Sequence, residues 1–240
     1  VRPVQKKPAV SFFNIIKPEC ITNVPMFYNP ALERQIQTIT NSLNDLNFTQ
    51  LQQQLQKKSL RKGLTIIFHG ASGTGKTETV FQIARASGRS IMMVDPSEIK
   101  SMWVGESEKN LRSMFQQYRN LSNKAKRMPI LLFNEADALI QTRRQIKQGL
   151  DAHDNSIQNL LLQELEEFEG IFIGTTNNIQ NIDAAFERRI LFKVEFSTPA
   201  PEIRTEILKT KFEKFNPSWL QQIGTRFQVT GSQIENVRKK

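Results

Sequence analysis

Gly70-Ala71-Ser72-Gly73-Thr74-Gly75-Lys76-Thr77 decides the fold, because of what stands on either side of it. The apolar run Leu64-Thr65-Ile66-Ile67-Phe68 precedes it, and Val80, Phe81, Ile83 and Ala84 follow at helical spacing. A buried strand therefore feeds a glycine-rich turn that opens a helix, and the spacing G-x-x-x-x-G-K-[ST] is met in full. Glycines let the backbone wrap until its N–H groups point at phosphate oxygens. Lys76 is expected to neutralise β/γ-phosphate charge, with the positive N-terminal end of the helix behind it. The Thr77 hydroxyl is the expected Mg²⁺ ligand, and Glu78 after it is counted among the expected nucleotide-binding residues. The expected ligand is a nucleoside triphosphate, read as ATP.

Outward from the loop, strands alternate with helices. Ile91–Val94, Ile130–Phe133, Ile171–Gly174 and Leu191–Phe196 read as strands. Helices are expected from Pro30, over Glu108–Leu121 and over Ile157–Phe168. This alternation predicts an α/β fold, a parallel sheet sandwiched by helices with right-handed crossovers. From Pro199 on the pattern is helical only. The expected organisation is an extended linker over 1–29, an α/β nucleotide-binding core over 30–198 and a small α-helical lid, truncated at its end, over 199–240. Ile130-Leu131-Leu132-Phe133 runs into Asn134-Glu135, where an Asp normally holds the metal shell. Asn134 is the expected outer-shell partner of the metal, and Glu135 is placed to polarise an attacking water.

Composition narrows the classes. The net charge of +10 favours polyanionic partners. The basic residues are scattered over several clusters without interleaved aromatics, so solvated faces and contacts between subunits rank above nucleic-acid binding. Cys20 stands alone, which excludes an intrachain disulfide and suits a reducing, cytoplasmic compartment. No apolar run is long enough to cross a bilayer as a helix. The start at Val1 and the end within a helical pattern lead us to expect a fragment of a longer protein.

Ser101-Met102-Trp103-Val104-Gly105-Glu106-Ser107-Glu108 places an aromatic residue among polar ones, on an expected loop before a helix. With the motifs above, in this order, it resembles the AAA ATPases in the narrow sense, which include katanin, spastin, the proteasomal ATPases and the FtsH proteases. The resemblance runs from about Pro30 to the C-terminus. It implies the AAA core with ATP and Mg²⁺ as ligands, bound between the α/β domain and the lid. It also implies a homo-oligomeric ring, hexameric in the family, with Trp103 and Val104 on a central pore loop that grips a polypeptide. Ile173-Gly174-Thr175-Thr176-Asn177 resembles the sensor strand, whose Asn177 orients the attacking water. Asp183-Ala184-Ala185-Phe186-Glu187-Arg188-Arg189 resembles the region whose arginines reach a neighbour's ATP. Gly231 and Ser232 match the nucleotide-facing turn of the lid.

Three departures qualify the resemblance. Asn134 replaces the usual Asp and removes a negative charge near the metal. The arginine region lacks Pro-Gly-Arg, which makes Arg188 the better finger than Arg189. The lid turn Thr230-Gly231-Ser232-Gln233-Ile234 carries no sensor arginine. The leading expectation is an ATP-hydrolysing remodelling motor or unfoldase. A nucleotide-switched binding module with weak hydrolysis is the alternative, and a nucleic-acid-associated ATPase stands third.

Overall fold

The structure, a computed structural model, describes residues 13–58, 61–100, 106–140 and 149–239. Its strands are Phe13–Ile16 (β1), Leu64–Gly70 (β2), Ile91–Val94 (β3), Ile130–Phe133 (β4), Ile171–Thr176 (β5) and Phe192–Phe196 (β6). They form one six-stranded sheet in the order β1-β3-β4-β5-β2-β6. Every pairing is parallel except that of β1 with β3. Phe13–Ile16, expected as part of an extended linker, is thus an antiparallel edge strand in which Asn14 and Ile15 are exposed.

Around the sheet lie α1 (Pro30–Ser42), α2 (Asp45–Lys57), α3 (Lys76–Ser87), α4 (Pro96–Lys100) and α5 (Glu106–Lys124). They are followed by α6 (Asp137–Ile140), α7 (Gly149–Glu166) and α8 (Ala184–Glu187). Beyond β6 come α9 (Pro201–Lys211), α10 (Pro217–Arg226) and α11 (Gly231–Arg238), with no further strand among the described residues.

Successive strand residues point to opposite faces, so a continuous apolar run fills two cores at once. Ile67, Leu131, Phe133 and Phe172 pack with α5 and α7 residues such as Phe115, Leu161 and Leu165. Ile66, Phe68, Leu132 and Ile173 pack on the other face with Ile36 and Ile39 of α1 and Val80 and Ile83 of α3. Each such side chain contributes about 1.5–3 kcal/mol by leaving water. A third, smaller cluster of Leu208, Leu220 and Ile234 joins α9, α10 and α11.

Two polar groups tie the layers at the amino-terminal end of the sheet. The fully buried Arg89 guanidinium donates to Leu43 O at 2.8 and 3.0 Å and to Met128 O at 2.9 Å. Its charge is met by Asp45 at 3.3 Å, and it lies 5.0 Å from the Phe48 ring centroid. The Tyr118 hydroxyl donates to Pro129 O at 2.8 Å and accepts from Ile171 N at 3.1 Å.

Arg89→Met leaves the Leu43 and Met128 carbonyls buried and unpaired, so chemical denaturation should show a loss of about 3 kcal/mol. Burial pushes the Tyr118 phenol up from 10.0 to about 12. The folded state therefore holds this proton more tightly than the unfolded chain. The stability it carries is complete below pH 10 and is lost as pH rises from 10 through 12. Melting temperatures measured across that range should fall less steeply for Tyr118→Phe than for the parent chain.

Candidate nucleotide site

The parallel register brings the carboxyl ends of β2, β4 and β5 to one edge, where ligands of open α/β sheets bind. Gly70 ends β2 with φ +138°, and a Cβ there would sit 2.1 Å from Phe196 O, so only glycine lets the chain leave beside β6. Gly73 and Gly75 follow with φ +78° and +94°, bending the loop into the start of α3.

Lys76 is the first residue of α3 and is buried. Its ammonium donates to Gly70 O at 2.7 Å, Ala71 O at 2.9 Å and Asn177 Oδ1 at 2.8 Å. Burial lowers its pKa, while the charges of Asp137 and Glu135 oppose that shift. Asn177, just past β5, thus meets the loop lysine directly.

Asn134, just past β4, joins the neighbouring elements. Its Oδ1 accepts the Thr77 hydroxyl at 2.7 Å and the Thr175 hydroxyl at 3.2 Å. Thr175 Oγ1 in turn accepts the backbone N–H of Glu135 at 3.0 Å. Glu135 is exposed and has φ +56°, a left-handed conformation that costs a non-glycine residue about 1–2 kcal/mol. The bonds of Glu135 N to Thr175 Oγ1 and of Ala136 N to Thr175 O (2.8 Å) hold the chain in that turn.

Asp137 and Thr175 belong to this network although the motif reading passed over their side chains. The Asp137 carboxylate accepts the Thr176 hydroxyl and, at 3.4 Å, the Asn177 N–H. Their signal was available in the acid three residues after Asn134 and the hydroxyls before Asn177, but their partners are remote in sequence.

These groups border a polar cleft of about 320 Å³, lined by Lys76, Thr77, Asn134, Glu135, Thr175 and Asn177 among others. A second, more apolar cleft of about 440 Å³ shares Gly73, Gly75, Glu78 and Ser232 with it. Met26 and Tyr28 from the segment before α1, and Ile203 and Ile207 from α9, line this second space. The Met26 side chain lies across the loop, 3.0 Å from where a Gly75 Cβ would be. Tyr28 is fixed by a 2.9 Å hydrogen bond to Thr79. The sequence reading missed this segment because nothing local marks an extended run as a cleft wall.

The lid turn closes on the loop. Ser232 N donates to Gly73 O at 3.2 Å, and a Cβ added at Gly231 would stand 3.7 Å from that oxygen. Of the two arginines, Arg189 donates to Ala185 O at 2.7 Å and to Glu166 Oε2 at 2.5 Å. Arg188 is exposed and has no side-chain partner among the described residues. Trp103 and Val104 lie outside the described residues.

For a divalent cation the donor set is neutral: the Thr77 hydroxyl and the Asn134 carbonyl lie 2.7 Å apart. Among the described residues no group of three His, Cys, Asp or Glu could hold a metal. Such oxygens suit Mg²⁺ that takes most of its charge from nucleotide phosphates and keeps several waters. Cys20 is an exposed free thiol, and no described helix is long and apolar enough to cross a membrane.

Comparison with known proteins identifies the family of the chain. The family model of the "ATPase family associated with various cellular activities (AAA)" matches residues 66–198, more than half of the chain. A vesicle-fusing ATPase of Arabidopsis thaliana is 32% identical over 193 residues, covering 72% of this chain and 26% of that protein. Cell division protein C of Sulfolobus acidocaldarius is 28% identical over 184 residues, covering 72% and 48%. Fidgetin-like protein 1 of Caenorhabditis elegans is 26% identical over 183 residues, covering 72% and 27%. The matched part of the chain thus spans about a quarter to a half of the length of these relatives.

Gly73 is the contact point of loop and lid. An added Cβ would stand 2.7 Å from Thr230 Oγ1 and 2.9 Å from Ser232 Cβ. Gly73→Ala should therefore part α11 from the loop and weaken nucleotide affinity about tenfold or more in calorimetric titration.

Proposed function

The chain belongs to the AAA family of ATPases, and on that premise we propose that it is the ATP-hydrolysing module of a ring-forming protein-remodelling motor. The observation that carries the reading is the convergence of Lys76, Thr77, Glu135 and Asn177 on one cleft at the sheet edge. The polar cleft takes the triphosphate and the apolar one the base, with the loop glycines between them.

Lys76 would exchange its loop carbonyls for phosphate oxygens, a charge-assisted contact about twice as strong as a neutral one. Asn177, now bonded to that ammonium, moves with it and orients water toward the γ-phosphate. Glu135, whose side chain lines the same cleft, accepts the water's proton at its carboxylate. Thr77 would hold Mg²⁺ directly and Asn134 through a bound water, and the ion would neutralise charge on the phosphates. Arg188 of a neighbouring copy would stabilise charge developing in the transition state, since a guanidinium is always ionised and forks onto phosphate oxygens. Arg189 serves its own subunit by pairing with Glu166. The polypeptide substrate, a pore loop at Trp103 and Val104, and a hexameric ring come from the family resemblance alone.

The two arginines separate the shared-site reading from a local one. Arg188→Ala should lower kcat by about a thousandfold with an unchanged melting temperature. Arg189→Ala should instead lower the melting temperature. ATP turnover in Arg188→Ala at the parent rate would remove the neighbour's arginine from the mechanism.

A second reading rests on Asn134, whose neutral carbonyl is already shared by two hydroxyls. In it the chain binds nucleotide as a switch and turns it over slowly. Steady-state turnover beside Asn134→Asp decides between the two. A gain of about tenfold or more on restoring the charge supports the switch, and similar rates support the motor.

A further inference from the structure

Ile203, Ile207 and Lys211 follow one another at four-residue intervals on α9 and so share one face. All three line the apolar cleft, and Lys211 meets Glu235 of α11 across it at 2.8 Å. That ammonium holds Glu235 Oε2, which leaves Oε1 as the oxygen open to a further donor. Glu235 Oε1 has Arg238 at 3.7 Å, beyond hydrogen-bond length. A carboxylate accepts at several lone pairs, so Glu235 keeps acceptor capacity beside its contact with Lys211. This acceptor lines a cleft that adjoins the phosphate loop.

Its position specifies the donor. Ser232, whose N–H meets Gly73 O, lies three residues before Glu235 on α11. Glu235 therefore stands about 4.5 Å further along the helix axis from the loop. Met26, Ile203 and Ile207 form the apolar part of the same cleft. Between a phosphate chain and an apolar-bound base comes the sugar, and its vicinal hydroxyls are the donors that a carboxylate reads in other nucleotide sites. Glu78, the other carboxylate lining the cleft, already accepts from Gln82 Nε2 at 2.7 Å.

We propose that Glu235, held in place by Lys211, reads the ribose hydroxyls of the bound nucleotide and makes the site selective for ribonucleotides over deoxyribonucleotides. The inference rests on the reading of the two clefts as one nucleotide site. Lys211 keeps the carboxylate ionised and turned inward, so its role is positioning, whereas Glu235 touches the ligand.

Calorimetric titration of this chain with ATP, 2′-deoxy-ATP and 3′-deoxy-ATP tests it. The parent chain should prefer ATP to at least one deoxy analogue by about tenfold or more. Glu235→Ala should bring the three affinities within about threefold of one another while ATP still binds. Glu235→Gln, which keeps the side-chain shape, should lower the preference by about threefold or more, and it decides the matter if the alanine variant does not fold. Equal affinities in the parent chain overturn the proposal, as does a preference that persists in a folded Glu235 variant. Failure of all three nucleotides to bind the parent chain overturns the site reading, and this inference falls with it.

Discussion

The parallel pairing of β2 with β5 on one side and β6 on the other is the constraint on which the rest depends. In this register His69 lies opposite Thr176 and Gly70 opposite Phe196. The loop therefore leaves the sheet level with the ends of its neighbours. A slip of one residue would turn every side chain of β2 to the wrong core. Because Ile66 and Ile67 serve opposite clusters, that slip would cost both cores together. The chemistry at the strand ends inherits its precision from this hydrophobic lock.

Above that lock, short polar bonds hold the candidate catalytic groups sideways. Asn134 joins Thr77 on α3 to Thr175 on β5. Asp137 joins Thr176 and the Asn177 amide, and Lys76 bridges the loop to Asn177. Asn134 and Lys76 each answer to two elements, so displacement of one strand end is felt at the others. Such cross-linking suits a site in which a small change in phosphate contacts must be transmitted to α11, which rests on Gly73.

Legibility followed the range of the interactions. The glycine loop, the apolar strands and the helix starts depend on neighbours a few residues away, and their spacing showed in the sequence. Phe13–Ile16 read as linker because its half-exposed pattern acquires meaning only beside Ile91–Val94. The start of α7 at Gly149 preceded the expected Ile157, since its first residues lack the apolar stripe that marks a helix. The apolar cleft was invisible because Met26, Ile203 and Ser232 come from three remote segments.

By itself, then, the sequence determined the glycine-rich loop between strand and helix, the order of strands and helices and the family they resemble. These are consequences of covalent adjacency and local periodicity. Tertiary structure alone decided which of two adjacent arginines stays exposed and which is bound to Glu166. It likewise decided that the Asn134 carbonyl serves two hydroxyls and that Glu235 faces Lys211 across a cleft. Those outcomes turn on distances between segments that only packing sets, and no spacing along the chain encodes a distance across it.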